Sequence, residues 1–258
     1  MNRLFLAPTT LLEAPPLEFL AAAAEAGYDG VGVRLYRSPS LPFHPVVGNA
    51  ALIRGIERAL AESGLAVLDL FTFYLQPQTD VRDFTPALEL GAALGAEYAV
   101  VQGDDPEWSR LAGNFAAFCD DAARCGLGVA VEFMPARPLA TLDLAVRLRR
   151  EVARPNVSIL VDPLHLARSG GAPAALAGLD PALFPYAQFS DGIPAIAERR
   201  MPGAGELPLG ALLDVLPAGL PLSVEVPDTR RGDIPALEWA KMALAATRNL
   251  LERRLATR

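Results

Sequence analysis

Eight times along the chain a short run of β-forming residues gives way to an apolar pattern at helical spacing, and that alternation leaves few folds open. The runs are RLFLAP (3–8), GVGVRLY (30–36), AVLDLFTFYL (66–75), EYAVVQG (97–103), GVAVEFMP (128–135), VSILVDP (157–163), YAQFSD (186–191) and LSVEVP (222–227). Helical stretches between them, such as LEFLAAAAEAG (17–27) and ALIRGIERALAESG (51–64), end at a glycine, the residue best suited to the left-handed turn that closes a helix. Eight strand–helix units predict an α/β fold, a single closed (β/α)8 TIM barrel over residues 1–258, since such barrels typically use about 250 residues as one domain. A doubly wound open sheet usually has about five or six strands and a glycine-rich first turn, which RLFLAP does not lead into. A last helix is expected over about 235–255, with Leu237, Ala240, Leu244, Leu251 and Leu255 on one face and Asp233 and Pro235 as start signals. The Gly-, Ala- and Pro-rich stretch SGGAPAALAGLDPALFP (169–185) is short enough to be one irregular connection.

Composition removes several function classes. At 52% hydrophobic and 21% charged the chain can bury a large core, and a net charge of −7 with scattered arginines gives no basic surface for nucleic acid. Lys241, the only lysine, sits among helix surface charges, which disfavours Schiff-base chemistry. Cys119 and Cys125, six apart in a helical stretch, fit neither a zinc site nor a redox pair, and their expected role is packing. No apolar run has the length of a secretion signal or a membrane span, so a cytoplasmic protein without a membrane partner is expected.

In a barrel, the C-terminal strand ends and the loops after them build the site. Glu132 ends its run among valines, Phe133 and Met134, where an unpaired carboxylate would be costly. Asp162 ends the next run, Gln188 and Asp191 fall in the seventh, and Glu225 in the eighth. Three carboxylates and an amide oxygen converging on one point would repel one another without a cation, so Glu132, Asp162, Gln188 and Glu225 are read as ligands of one divalent metal ion. An all-oxygen set disfavours zinc and suits Mn²⁺ first, with Mg²⁺ or Co²⁺ as alternatives. Arg34, Tyr36, Gln102 and Asp104 face the same barrel end, and Trp108, Phe71 and Phe73 are candidates for an apolar wall over a substrate. His44, in the proline-flanked SLPFHPVVG, reads as a surface or capping histidine.

At these strand ends the sequence resembles the xylose isomerase-like TIM barrel superfamily of sugar isomerases, sugar epimerases and inosose dehydratases. In that family a Glu closes one strand, D-x-x-H the next, H-x-x-D follows, and a last strand supplies another Glu. The corresponding pieces are VEF (Glu132), DPLH (Asp162, His165), QFSD (Gln188, Asp191) and VEVP (Glu225). RRMPGAGELPL (199–209) is similar to the family's arginine and P-G-x-G-E loop. Gln188 departs from the pattern by standing where most members have a histidine, a feature in which the chain is similar to 3-dehydroshikimate dehydratases.

The resemblance implies proton abstraction beside the carbonyl of a keto-sugar or cyclic polyol ketone, through an enediolate. Glu132 and Glu225 would exchange the proton, and Asp162 would be a pure ligand. His165, expected in a loop after the sixth strand, would hydrogen-bond the substrate. Arg199 or Arg200, with Gln102 and Arg34, would bind substrate oxygens. Isomerisation or epimerisation is the leading reading, followed by a dehydratase-like lyase and by a non-catalytic sugar-binding barrel. A homodimer is common among proteins of this resemblance. The superfamily's DNA-repair endonucleases need a histidine cluster for several zinc ions, and this chain has two histidines.

Overall fold

In a computed structural model, residues 2–38, 41–227 and 232–256 are described. Eight parallel strands line the barrel: β1 (Leu4–Leu6), β2 (Gly30–Val33), β3 (Ala66–Leu75), β4 (Tyr98–Gly103), β5 (Gly128–Glu132), β6 (Val157–Leu160), β7 (Ala187–Phe189) and, beyond a small antiparallel hairpin of β8 (Asp191–Ile193) and β9 (Glu198–Arg200), β10 (Leu222–Val224). Each of β1 to β5 pairs with the next, β10 pairs with both β1 and β7, and a single parallel bridge from Val161 to Ala187 brings the sheet round on itself. All eight expected strands are present; several are shorter than their apolar runs, whose last residues turn out of the ladder to build the site.

The helices are α1 (Pro16–Ala26), α2 (Ala50–Ser63), α3 (Thr85–Ala93), α4 (Trp108–Arg124), α5 (Leu142–Val152), α6 (Pro163–Arg168), α7 (Leu209–Val215) and α8 (Ala236–Ala256). Gly27 and Gly64 close α1 and α2 at φ of 89° and 71°, values a side-chain-bearing residue rarely adopts. Asp233 precedes α8, whose buried face includes Ala240 and Leu244, while Leu255 is exposed. The 169–185 stretch forms two short 3-10 turns, Pro173–Ala175 and Pro181–Leu183.

Two apolar layers follow from strand alternation. Phe5, Leu68, Phe71, Val100, Ala130, Leu160 and Tyr186 fill the barrel interior, and a larger cluster lies between strands and helices. Phe73, on the outer face of β3, meets Phe84 at 5.1 Å and Phe118 at 5.2 Å between ring centroids, so it packs helices onto the sheet and does not cover a site. Phe71 is an interior wall residue. Trp108 lies under Arg147, 4.1 Å from the guanidinium carbon, and donates to Glu151, which places it on the helical shell. Cys119 is fully buried in the outer core, and Lys241 pairs with Glu25 and Glu238. Among the described residues no helix is long and apolar enough to cross a membrane.

Candidate active site

Glu132 is the last residue of β5, Asp162 follows β6, Gln188 is the middle of β7, and Glu225 follows β10; all four are at most 4% exposed. Their proximity comes from parallel strands ending at one level of a closed barrel.

Each carboxylate has one oxygen tied to a protein donor. Glu132 Oε2 accepts from the Gln102 side-chain amide, Asp162 Oδ1 from the His165 backbone N–H at 2.9 Å, and Glu225 Oε1 from the Thr9 hydroxyl at 2.8 Å. The other three oxygens face one end of the Gln188 amide, which lies 2.5 Å from Glu132 Oε1, 3.1 Å from Glu225 Oε2 and 3.3 Å from Asp162 Oδ2. With nitrogen at that end, the two N–H groups of the amide are shared among the three; with oxygen there, four oxygens converge and need positive charge beyond the Arg199 guanidinium to hold them together. The donor set therefore fits a hard divalent ion.

Arg199, on β9, completes the centre. Its Nη1 is 2.7 Å from Asp162 Oδ2 and its Nη2 3.1 Å from Glu225 Oε2; Ser190 Oγ accepts from Nη1 at 2.8 Å. Alternation along β9 turns Arg200 the other way, into an ion pair with Glu198. Arg34 donates to the Pro42 carbonyl at 2.6 Å and makes no ion pair with a site carboxylate among the described residues. It lines a small apolar cavity of about 50 Å³ with His44, Phe19 and Leu11, and none of the four strand-end residues borders that cavity.

His165 is in α6, not in a loop. Asp162 is the N-cap and Pro163 the first helical residue, a helix start that Asp-Pro favours in any sequence. This seats His165 Nε2 3.9 Å from Glu132 Oε1 and 3.4 Å from Arg199 Nη2. Potential ligand atoms of Glu132, Asp162 and His165 lie within 4.8 Å of one another, so the imidazole is closer to the carboxylates than a substrate-only role requires. Asp191, aligned with a family motif, lies outside the centre: its carboxylate accepts from the backbone N–H groups of Gly192, Gly203 and Leu207 and shapes the PGAGE loop.

Three carboxylates against one guanidinium leave an excess of negative charge, and the protonation equilibria express it. Burial and then Glu225 push the Glu132 carboxyl well above the usual range. Burial lifts Glu225 to about 7 against the pull of Arg199. Burial opposes ionisation of Asp162 too, but Arg199 and His165 more than offset it and hold the acid at about 2. Burial lowers His165 to about 4, so its ring is neutral near pH 7.

Residues 20–250 match the family described as xylose isomerase-like TIM barrel. The chain belongs to that family. Solved structures agree in fold. A zinc-bound IolI protein superposes with a TM-score of 0.77 at 19% identity, covering 98% of this chain and 99% of the other. A xylose isomerase domain protein from Alicyclobacillus acidocaldarius gives 0.79 at 22% identity, with coverage of 98% and 99%. A fusion of a xylose isomerase-like TIM barrel with 4-hydroxyphenylpyruvate dioxygenase gives 0.80 at 19% identity; the barrel covers 98% of this chain, which spans only 43% of the fusion protein's length. No curated protein matches by sequence.

Thr9 and Ser190 are site residues that strand-end reasoning missed. Thr9 follows the first strand in LAPTT, at the correct barrel end, and that position was its only signal.

Proposed function

We propose that this family member is a divalent-metal-dependent isomerase or epimerase that moves a proton beside the carbonyl of a keto-sugar or cyclic polyol ketone. The observation that carries the reading is the pairing within each carboxylate: one oxygen accepts from a donor outside the centre, and the other turns toward a shared centre that holds Gln188 and Arg199. Glu132, Asp162, Gln188 and Glu225 would hold the ion, Mn²⁺ first by the hardness of an all-oxygen set, with Mg²⁺ or Co²⁺ as alternatives. Bound there, a divalent ion supplies Lewis-acid stabilisation for charge developing on a substrate oxygen.

The chain's own residues do the rest. Glu132 and Glu225 are two buried carboxylates that reach the centre from different strands, placed to take a proton at one carbon and return one at another. Gln102 orients Glu132 and Thr9 orients Glu225, so each carboxylate turns its other oxygen toward the shared centre. The neutral His165 ring, beside Glu132 and Arg199, can donate a hydrogen bond to the oxygen that becomes the enediolate. Arg199 would grip a substrate oxygen; Arg200 and Arg34, paired elsewhere, are not assigned that role. The structural neighbours 3-keto-D-glucoside 4-epimerase and D-allulose 3-epimerase, each 16% identical, are named for substrates of this class.

Gln188 favours a second reading, a lyase of the 3-dehydroshikimate dehydratase type, in which the returning proton goes to a leaving hydroxyl. The purified protein with Mn²⁺ should exchange solvent deuterium into a keto-sugar or cyclic polyol ketone, and Glu132→Gln should lower that rate by about 10² or more. An aromatic ultraviolet product from 3-dehydroshikimate would select the lyase. Failure of Mn²⁺ to bind would defeat both readings.

A further inference from the structure

We infer that Arg199 is a built-in competitor for the metal: in the metal-free protein its guanidinium clasps the oxygens that the ion needs, and metal entry releases it toward substrate. This rests on the metal site proposed above and adds a second state to it.

The contacts discriminate between oxygens. Arg199 could have met the outer oxygens of Asp162 and Glu225, but these already accept from the His165 N–H and the Thr9 hydroxyl. It meets Asp162 Oδ2 at 2.7 Å and Glu225 Oε2 at 3.1 Å, the oxygens that also face Gln188. One planar fork thus spans two ligands from two non-adjacent segments of the chain, a bridging geometry that lysine's single ammonium does not reproduce. A metal ion drawn to the same oxygens must loosen at least one of these contacts.

The strand that carries Arg199 contributes no hydrogen bond to the barrel ladder. β9 pairs only with β8, in a two-stranded ribbon outside the eight-stranded sheet. Ser190 and His165 are the guanidinium's other partners, at 2.8 and 3.4 Å, so alternative contacts for the released group lie beside the centre. The same residue that stabilises the metal-free carboxylates would then become available to a substrate oxygen only once the ion is bound, which couples metal loading to substrate binding.

The test is Mn²⁺ alone, titrated by calorimetry into the metal-free protein, with melting temperature measured in parallel. Arg199→Gln and Arg199→Lys should both bind Mn²⁺ at least tenfold more tightly than wild type. Their metal-free forms should melt lower, with a larger rise on adding Mn²⁺. Lysine separates the clasp from simple repulsion, because it keeps the charge and loses the fork. Arg200→Gln, which removes a neighbouring cation paired with Glu198, should stay within about twofold of wild type. Ser190→Ala, which removes an outer anchor and no carboxylate contact, gives a milder variant should Arg199→Gln fail to fold, and its affinity should rise in the same direction.

Equal affinity in wild type and Arg199→Gln overturns the competition while leaving the metal reading intact. Tight binding by Arg199→Gln with wild-type affinity in Arg199→Lys overturns the clasp in favour of charge repulsion. No Mn²⁺ binding by any variant at millimolar concentration removes the metal site and the competition with it. Binding by Arg199→Gln where wild type binds none supports the inference most strongly.

Discussion

Asp69 should make the protein less stable as pH rises from about 4 to 6. The register of β2 against β3 runs from Val31–Val67 to Gly32–Asp69, so Leu68 is an extra residue in the ladder, and this bulge sets Asp69 inside the fold. The carboxylate is 1% exposed, and neither oxygen has a hydrogen-bond partner among the described residues. Gly32 makes the space, for a Cβ there would lie 2.3 Å from Asp69 Oδ1. Burial raises the acid from 3.8 to about 6; the Tyr186 hydroxyl acts in the opposite direction without meeting it in a well-formed bond.

The sign follows from proton counting. Between 3.8 and about 6 the unfolded chain has released the proton and the native protein has not, so raising pH favours unfolding. At about 1.36 kcal/mol per pKa unit, the full effect above pH 6 is on the order of 3 kcal/mol. Asp69→Asn removes the titration and keeps the shape. The asparagine variant should exceed wild type by about 1 kcal/mol at pH 4.5 and about 3 kcal/mol at pH 7.5. Urea unfolding of both proteins across this range gives the difference curve, in which Glu132 cancels to first order because both chains contain it, while Glu225, pushed up in small part by Asp69, adds a lesser contribution of the same sign. A difference that is flat with pH, or a variant less stable than wild type at pH 7.5, would refute the account.

Three further outcomes are expected. Thr9→Val leaves Glu225 Oε1 buried without its donor and should cost about 1.5–3 kcal/mol in denaturant unfolding, together with a rise in the apparent pKa of the deuterium-exchange reaction. Phe118→Ala opens the aromatic cluster with Phe73 and Phe84 and should cost about 3–5 kcal/mol; a loss below 1 kcal/mol would mean the shell collapses to fill the gap. Cys119, fully buried with its thiol pushed up to about 12, should not react with a thiol reagent at pH 8 until the protein unfolds, as read by the stoichiometry of labelling before and after denaturation.

The barrel was legible because its signal is local and repeated: helical spacing, a closing glycine and a β-rich run eight times over. The strand-end acids were legible for a related reason, since Glu132, Asp162 and Glu225 each interrupt an apolar run at the end where a parallel barrel builds its site. Gln102 and Arg199 were legible as neighbours of the site but not as partners of particular acids, and Thr9 was not legible at all: barrel closure makes the first and last strands neighbours, but nothing in LAPTT says that a hydroxyl there reaches Glu225, 216 positions away.

The misplacement of Asp191 and His165 has a sharper lesson. SDGIPAIAERR carries neither a helical nor an alternating pattern, so nothing in it signals the hairpin of β8 and β9, and from sequence Asp191 falls at the end of the seventh strand. Yet that hairpin is what delivers Arg199 into the carboxylates while turning Arg200 away. For His165 the signal was present: Asp-Pro after a strand is an N-cap followed by a favoured first helical residue, and reading it so puts the imidazole three positions into a helix whose cap is itself a candidate ligand. Asp162 therefore does two jobs with two oxygens. A substitution to Asn should preserve the cap on α6 while weakening the centre, whereas Ala should lose both, so the pair of variants separates the helix from the site in one experiment.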